Sequence, residues 1–389
     1  MRTILDRHEA GPDPLSLARE LVSTPSVNPV LDAASPGEEA IARLAAGWLE
    51  DWGLDVTLDE AAPGRPNVVA RLSGSGATLL LNGHLDTVGT AGMTVDPFAG
   101  HVAEGCLWGR GACDMKGGLA ALLSAAERLA RGSGPRPDLV VALTADEEHA
   151  GLGMQRLVAS GVRADMAVVC EPTGLAVMPA HKGFVWAEII FHGRAAHGSR
   201  PEEGVDAIRH AALFLAALDE LARRLASGAR HPLLGSGSLH AGTIQGGTAD
   251  SVYPERCVVT LERRTLPGEG GQDVMEELSA VLADLRGREP ELNAELRMTL
   301  ERSGTEVPVD SPPVEALCAA AAEEAPGMGA VAGMSAWVDA AFLNEAGIPA
   351  VCFGPGDIAR AHSADECCSV AEIRACAKIL ERFARRLAS

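Results

Sequence analysis

Lysine is nearly missing from this chain. Only Lys116, Lys182 and Lys378 stand among 389 residues, and the other basic positions are arginine, a bias that by itself assigns no function. Basic clusters are missing too, against a formal net charge of -20. A field of that sign repels phosphate backbones and anionic membrane surfaces, so neither nucleic acid nor a membrane is expected as a partner. The same acid excess keeps a protein soluble. No stretch approaches the 18 or so uninterrupted apolar residues that a membrane-spanning helix needs, and Met1 to Leu21 carries no basic flank followed by an apolar run. The protein is therefore expected to be neither secreted nor membrane-spanning, but cytoplasmic. The nine cysteines, at 106, 113, 170, 257, 318, 352, 367, 368 and 376, lack the paired short spacings of a zinc knuckle or a redox motif. Buried, reduced thiols are the reading that fits.

What the chain does have is the balance of a globular protein, with 47% hydrophobic and 22% charged residues, and enough length for about two domains. In the first half, helix-spaced apolar residues (Pro14 to Ser23, Gly37 to Trp52) alternate with short apolar runs at Ala77 to Leu81, Asp138 to Thr144 and Ala164 to Cys170. That alternation predicts an α/β fold whose main domain is built on a mostly parallel sheet. From about His181 the texture changes. Long strands with polar alternation (Gly183 to Phe191, Cys257 to Arg263) and helices over Val205 to Leu225 and Gln272 to Leu285 give the order of a ferredoxin-like α+β layer. The expected organisation is a main domain in two pieces, 1–180 and 298–389, which would be the catalytic one if the chain is an enzyme, around an inserted domain at 181–297.

In a parallel sheet the residues that follow each strand are the ones that meet ligands. Here they are polar each time. Leu81-Asn-Gly-His-Leu-Asp-Thr-Val88 puts His84 and Asp86 two residues apart on extended chain, so that the Asp86 carboxylate can accept the second ring proton of His84 and fix its tautomer for a metal; a satisfied loop is the plainer alternative. Gly109-Arg-Gly-Ala-Cys-Asp-Met-Lys-Gly-Gly118 sets Asp114 at the entrance of a helical run, Gly117 to Arg131, as a ligand or as a helix cap. Asp146-Glu-Glu-His149 gathers three acids after an apolar run, which suits a solvated loop or a cation site, and Glu171 repeats the theme after the next run. His362 follows a glycine-rich loop far downstream.

Taken together, Gly83-His-Leu-Asp-Thr-Val88, Asp96-Pro-Phe98, Gly109 to Gly118, Asp146-Glu-Glu148, Glu171-Pro-Thr173, Ala196-His-Gly-Ser199, Gly354-Pro-Gly356 and Ala361-His-Ser-Ala-Asp-Glu366 resemble one family over nearly the whole chain. It is the zinc-dependent amidohydrolases and exopeptidases that include acetylornithine deacetylase, succinyl-diaminopimelate desuccinylase and glutamate carboxypeptidase. The resemblance implies two Zn2+ ions, for which Co2+ can substitute, with His84, Asp114 and Glu171 on one and Asp114, Glu148 and His362 on the other. Asp114 would bridge. It implies further that Glu147 is the general base, that a metal-bridging hydroxide attacks the amide carbonyl, and that Asp86 supports the catalytic machinery. His197 matches a histidine that reaches the partner subunit's active site in dimeric members, so a homodimer through the inserted domain, acting as dimerisation and lid domain, is expected. Arg264, in Arg264-Thr-Leu-Pro-Gly268, matches a position that grips a substrate carboxylate, a task a guanidinium fork suits; an exposed strand face is its alternative. Gly354 and Ser251 complete the substrate-binding set, although many relatives carry Asn where Ser251-Val-Tyr-Pro254 begins. The implied reaction is deacylation of an N-acyl amino acid, with a dipeptidase, a glutamate-type carboxypeptidase or a desuccinylase as alternatives. A silent relative that only binds would lack Glu147 or a ligand, and all six are present.

Overall fold

The computed structural model describes residues 13–228 and 230–388. The first twelve residues, where the expected catalytic domain begins and where a leader was sought, lie outside the described ones. The chain separates into two compact units, one made of Met1–Pro179, Val307–Ala332 and Val338–Ser389, the other of Ala180–Glu306 and Gly333–Trp337. The expected boundary at 297 falls inside a strand, Asn293–Arg302, because that strand runs on past Arg297 in register with Gly183–His192.

The first unit is built on a sheet in the order Asp55–Ala62, Arg65–Leu72, Asp138–Thr144, Thr78–His84, Met166–Val169, Ala350–Cys352, Val177–His181. Its middle is parallel: Thr78–His84 lies between Asp138–Thr144 and Met166–Val169, and Ala350–Cys352 joins the last of these in the same direction. Antiparallel strands close both sides. Consecutive residues of a strand face opposite ways, and both faces here are apolar. Leu79, Leu81, Leu139 and Val141 pack with helices Pro14–Val22, Glu39–Asp51, Gly117–Arg131 and Val370–Leu387. Leu80, Val140 and Ala142 are buried on the other face, the one covered by Leu152–Ala159. A small antiparallel sheet of His101–Ala103, Cys106–Trp108 and Cys367–Ser369 ties down the segment that carries His362.

In the second unit the sheet order is Ser238–Gly246, Arg256–Thr265, Gly183–His192, Asn293–Arg302, with every pairing antiparallel. Val185, Ala187, Ile189 and Phe191 alternate onto one face. Against them packs Ala207–Ser227, whose Ala207, Ala211, Phe214, Leu218 and Leu221 recur at helical spacing and whose N-cap, Asp206, accepts the Arg209 amide. Gly271–Arg288 completes the strand-helix-strand-strand-helix-strand order. Among the described residues no helix is long and apolar enough to cross a membrane.

Candidate metal centre

The parallel strands deliver their next residues to one end of the first unit's sheet. His84 is the last residue of its strand, Asp146 to Glu148 follow Asp138–Thr144, and Glu171 follows Met166–Val169. Asp114 arrives differently. The turn Ala112–Lys116 leaves helical geometry at Asp114 (φ -121, ψ 95) before the helix Gly117–Arg131 begins, and the Asp114 side chain does not cap that helix. Glu366, fully buried, shapes this turn: one of its oxygens accepts the amides of Cys113 (2.9 Å) and Asp114 (3.1 Å), and the other accepts Arg110 Nη1 (2.6 Å). Gly118 then brings the helix against the strand end before Glu171, since a Cβ there would lie 2.1 Å from the Cys170 carbonyl oxygen.

Asp114 sits between the two histidines. Its Oδ1 is 2.9 Å from His84 Nε2 and its Oδ2 is 3.4 Å from His362 Nε2, while that same His362 nitrogen is 3.1 Å from Glu148 Oε1. Ligand atoms of His84, Asp114 and Glu148 all fall within 4.8 Å of one another. Glu171 is 3% exposed and its Oε1 is buried without a hydrogen-bond partner. A buried, unpartnered carboxylate oxygen costs free energy that a cation would recover. Imidazole nitrogens with carboxylate oxygens form the donor set that zinc and cobalt accept. The residues present therefore fit a metal centre.

Electrostatics agree. Burial pushes Glu171 up to about 8, with Asp114 adding to the effect, and burial also raises Glu148 and takes Glu147 well above the usual carboxylate range. His362 is raised to about 10 by its hydrogen bonds to Asp114 and Glu148. For His84 burial works against the proton, and the Asp114 carboxylate outweighs it, so that the imidazole stands well above its ordinary value. Carboxylates that favour protons and histidines that keep them describe a site short of positive charge.

Two sequence expectations need correction. The proton on His84 Nδ1 goes to the backbone carbonyl of Asp86 at 2.9 Å, whereas the Asp86 carboxylate is 3.7 Å away. That carboxylate instead accepts the amides of Glu147 (3.0 Å) and Glu148 (3.1 Å), so Asp86 holds the acidic loop rather than the histidine tautomer. Asp146 stands apart from the acids around Asp114: it is buried, has a left-handed φ of 70, and pairs with Arg65 at 2.6 Å. Sequence reasoning missed Arg65, Glu38 and Asn28, which share this buried network, and gave Glu366 no role although it closes a motif already noted. Isolated polar residues in otherwise ordinary segments offered no signal.

Gly354 follows the strand Ala350–Cys352, and a Cβ there would meet the Glu171 carbonyl at 2.4 Å. Its amide donates to Thr173 Oγ1 and its carbonyl accepts from Leu175 and Thr173, which makes it a close-approach residue beside Glu171 rather than a free substrate contact.

The remaining expected residues lie in the second unit. Arg264 pairs through Nε with Glu262 (2.7 Å) and stacks over Phe184 (5.3 Å). His197 is exposed, and its Nδ1 accepts the Ser199 amide (3.2 Å), which leaves the ring N–H on Nε2. Ser251 is exposed, and its carbonyl accepts the Gly198 amide at 2.7 Å.

Residues 80–386 match the model of peptidase family M20/M25/M40. The chain belongs to this family. It is 35% identical over 334 residues to the acetylornithine deacetylase of Myxococcus xanthus, covering 84% of this chain and 85% of that one. With the acetylornithine deacetylase of Proteus mirabilis the identity is 32% over 359 residues, 90% and 91% of the two chains. A tripeptidase structure from Staphylococcus aureus superposes with a TM-score of 0.80 at 21% identity, covering 97% and 98%. This family member is thus a hydrolase on a shared two-unit architecture.

Proposed function

We propose that this chain removes the acyl group from an N-acyl amino acid, in the manner of an acetylornithine deacetylase, at a centre of two divalent ions, zinc by preference and cobalt as a substitute. The observation that carries the reading is the placement of Asp114, with one oxygen toward each histidine, beside the unpartnered Oε1 of buried Glu171. His84, Asp114 and Glu171 would hold one ion; Asp114, Glu148 and His362 would hold the other. Ions there would supply Lewis acidity to the scissile carbonyl and acidify a water. Glu147 takes the proton of that water onto a carboxylate oxygen and gives it to the leaving amine nitrogen. Its raised proton affinity suits the interval between those two transfers. Asp86 keeps Glu147 and Glu148 in place through their amides.

Substrate choice rests on the two deacetylase relatives at 35% and 32% identity. In the inserted unit, the terminal nitrogens of Arg264 lie outside its pair with Glu262 and are available to a substrate carboxylate. Ser251 would border the same substrate. The edge strand Ser238–Gly246, with Ile244 51% exposed, is the surface through which two copies would pair. Free, mostly buried cysteines support a cytoplasmic location.

The test is a panel of N-acetyl amino acids, N-succinyl amino acids and dipeptides, offered to the purified protein with zinc or cobalt. N-Acetyl amino acids are expected to turn over fastest. Faster cleavage of dipeptides would favour the peptidase reading, and no hydrolysis of any class would overturn the proposal.

A further inference from the structure

Behind the acidic loop of the first unit runs a chain of buried polar contacts. Asp86 and Asp146 are both fully buried, and a single amide joins them: Asn28 Nδ2 donates to Asp86 Oδ2 at 2.8 Å and to Asp146 Oδ1 at 2.9 Å. The amide cannot turn over cheaply. Asn28 Oδ1 accepts the Val30 amide (3.0 Å), and the Asn28 backbone N–H reaches the Thr87 carbonyl (2.9 Å). On the far side, Arg65 Nη1 donates to the same Asp146 oxygen at 2.6 Å while Nε and Nη2 grip Glu38, which is fully buried as well.

We infer that Asn28 and Arg65 are positioning residues for the metal centre, setting where the carboxylates of Glu147 and Glu148 stand without touching metal or substrate. Each contact has one consequence. Arg65 answers the charge of Asp146 and Glu38 together, and a guanidinium fork can do so in two directions where an ammonium cannot. Asn28 then spends both amide hydrogens on two carboxylates that would otherwise repel at close quarters. Asp86, fixed by Asn28, is left to receive the amides of Glu147 and Glu148, and Asp146, the residue just before them, is held through its side chain by Asn28 and Arg65 in a left-handed conformation that non-glycine residues rarely adopt. Without the Asn28 amide both carboxylates are short of a donor, and the acidic loop loses its register against His84 and Asp114.

The inference rests on the two-metal reading, and its test separates the two. Metal-free full-length protein, Asn28→Ala and Arg65→Lys are titrated with cobalt, read by calorimetry and by visible absorption of the bound ion, alongside melting temperature and steady-state kinetics. The wild type should take up about two ions. Asn28→Ala should bind the ion served by Glu148 about 10- to 100-fold more weakly, the range expected when a partner behind a metal ligand is removed. Its kcat should fall with KM little changed. Arg65→Lys, which keeps the charge and loses the fork, should fall between the two and supplies the answer if Asn28→Ala does not fold. Wild-type affinity and kcat in a folded Asn28→Ala or Arg65→Lys, even with a lowered melting temperature, would reduce the network to fold stability and overturn the inference. A wild type that takes up no cobalt would instead sink the metal reading on which it rests.

Discussion

The carboxylate of Asp86 accepts the backbone amide of Glu147 at 3.0 Å although the two residues stand 61 positions apart. The loop that carries the proposed base is thus held by a residue that follows the neighbouring strand. Asp86→Asn replaces one acceptor oxygen by a donor facing an amide N–H or the Asn28 amide, while the backbone carbonyl that fixes His84 is untouched. We expect kcat to fall about 10- to 100-fold, with the loss shared by metal affinity on the Glu148 side. Unchanged kinetics in Asp86→Asn would show that the loop holds itself.

Glu147 and Glu148 are adjacent but should fail differently. Glu147→Gln is expected to retain both metals and lose most of the rate, because only proton transfer is removed. Glu148→Ala should lose one metal along with activity, since its Oε1 shares the His362 nitrogen. Metal content by elemental analysis beside turnover of an N-acetyl amino acid distinguishes them, and wild-type turnover in Glu147→Gln would remove it as the base.

Much of this site can be read from the residue order, and the part that cannot has a physical reason. Strands such as Asp138–Thr144 and helices such as Gly117–Arg131 coincide with their expected ranges because extensive burial leaves a strong apolar pattern. The pair Asp55–Ala62 and Arg65–Leu72 carried no expectation, since the first of these strands has no buried residue and shows little alternation. Of the candidate site, His84, Glu148 and Glu171 stand out because polar residues follow apolar runs at strand ends, whereas Asp114, in a glycine-dense turn, and His362, after a glycine-rich loop, join them only through the family resemblance. Which oxygen of Asp86 meets His84 depends on a local chain direction that spacing does not encode, and the buried pair of Arg65 with Glu38 depends on contacts between segments that are unremarkable alone.

Metal binding should release protons and strengthen with pH. In the metal-free protein His362 is raised to about 10 by Asp114 and Glu148, and Glu171 is raised to about 8 by burial, so near neutral pH both keep protons that a metal must displace. Because the raised values favour the protonated form, apparent affinity for zinc or cobalt is low below about pH 6, where Glu171 and His362 hold their protons while Asp114, lowered despite its burial by its hydrogen bonds to the two histidines, stays ionised. It then climbs through the window between the Glu171 and His362 values. Calorimetry in buffers of different ionisation enthalpy measures the protons released. Zero release at pH 7, or affinity that falls as pH rises from 6 to 8, would contradict the charge balance described for this site.

The last expectation concerns His197, which is exposed on the second unit with its Nδ1 turned to the Ser199 amide, so that Nε2–H is the available donor. The residue alone could do no more than order its own turn, in which case His197→Ala should cost little. If two copies pair through Ser238–Gly246 and that donor reaches the neighbour's developing oxyanion, its loss should cost about 100- to 1000-fold in rate, the usual weight of one oxyanion donor. Single substitution cannot tell action within one chain from action across the pair. Mixing His197→Ala with Glu147→Gln can, because each parent is impaired at both of its sites, whereas a hybrid dimer with action across the pair contains one site with both residues intact. Hybrids should then recover up to about half of wild-type activity per dimer, by the geometry of a two-fold pair. A hybrid as inactive as its parents would confine His197 to its own chain, and a fully active monomer in sedimentation would remove the pairing altogether.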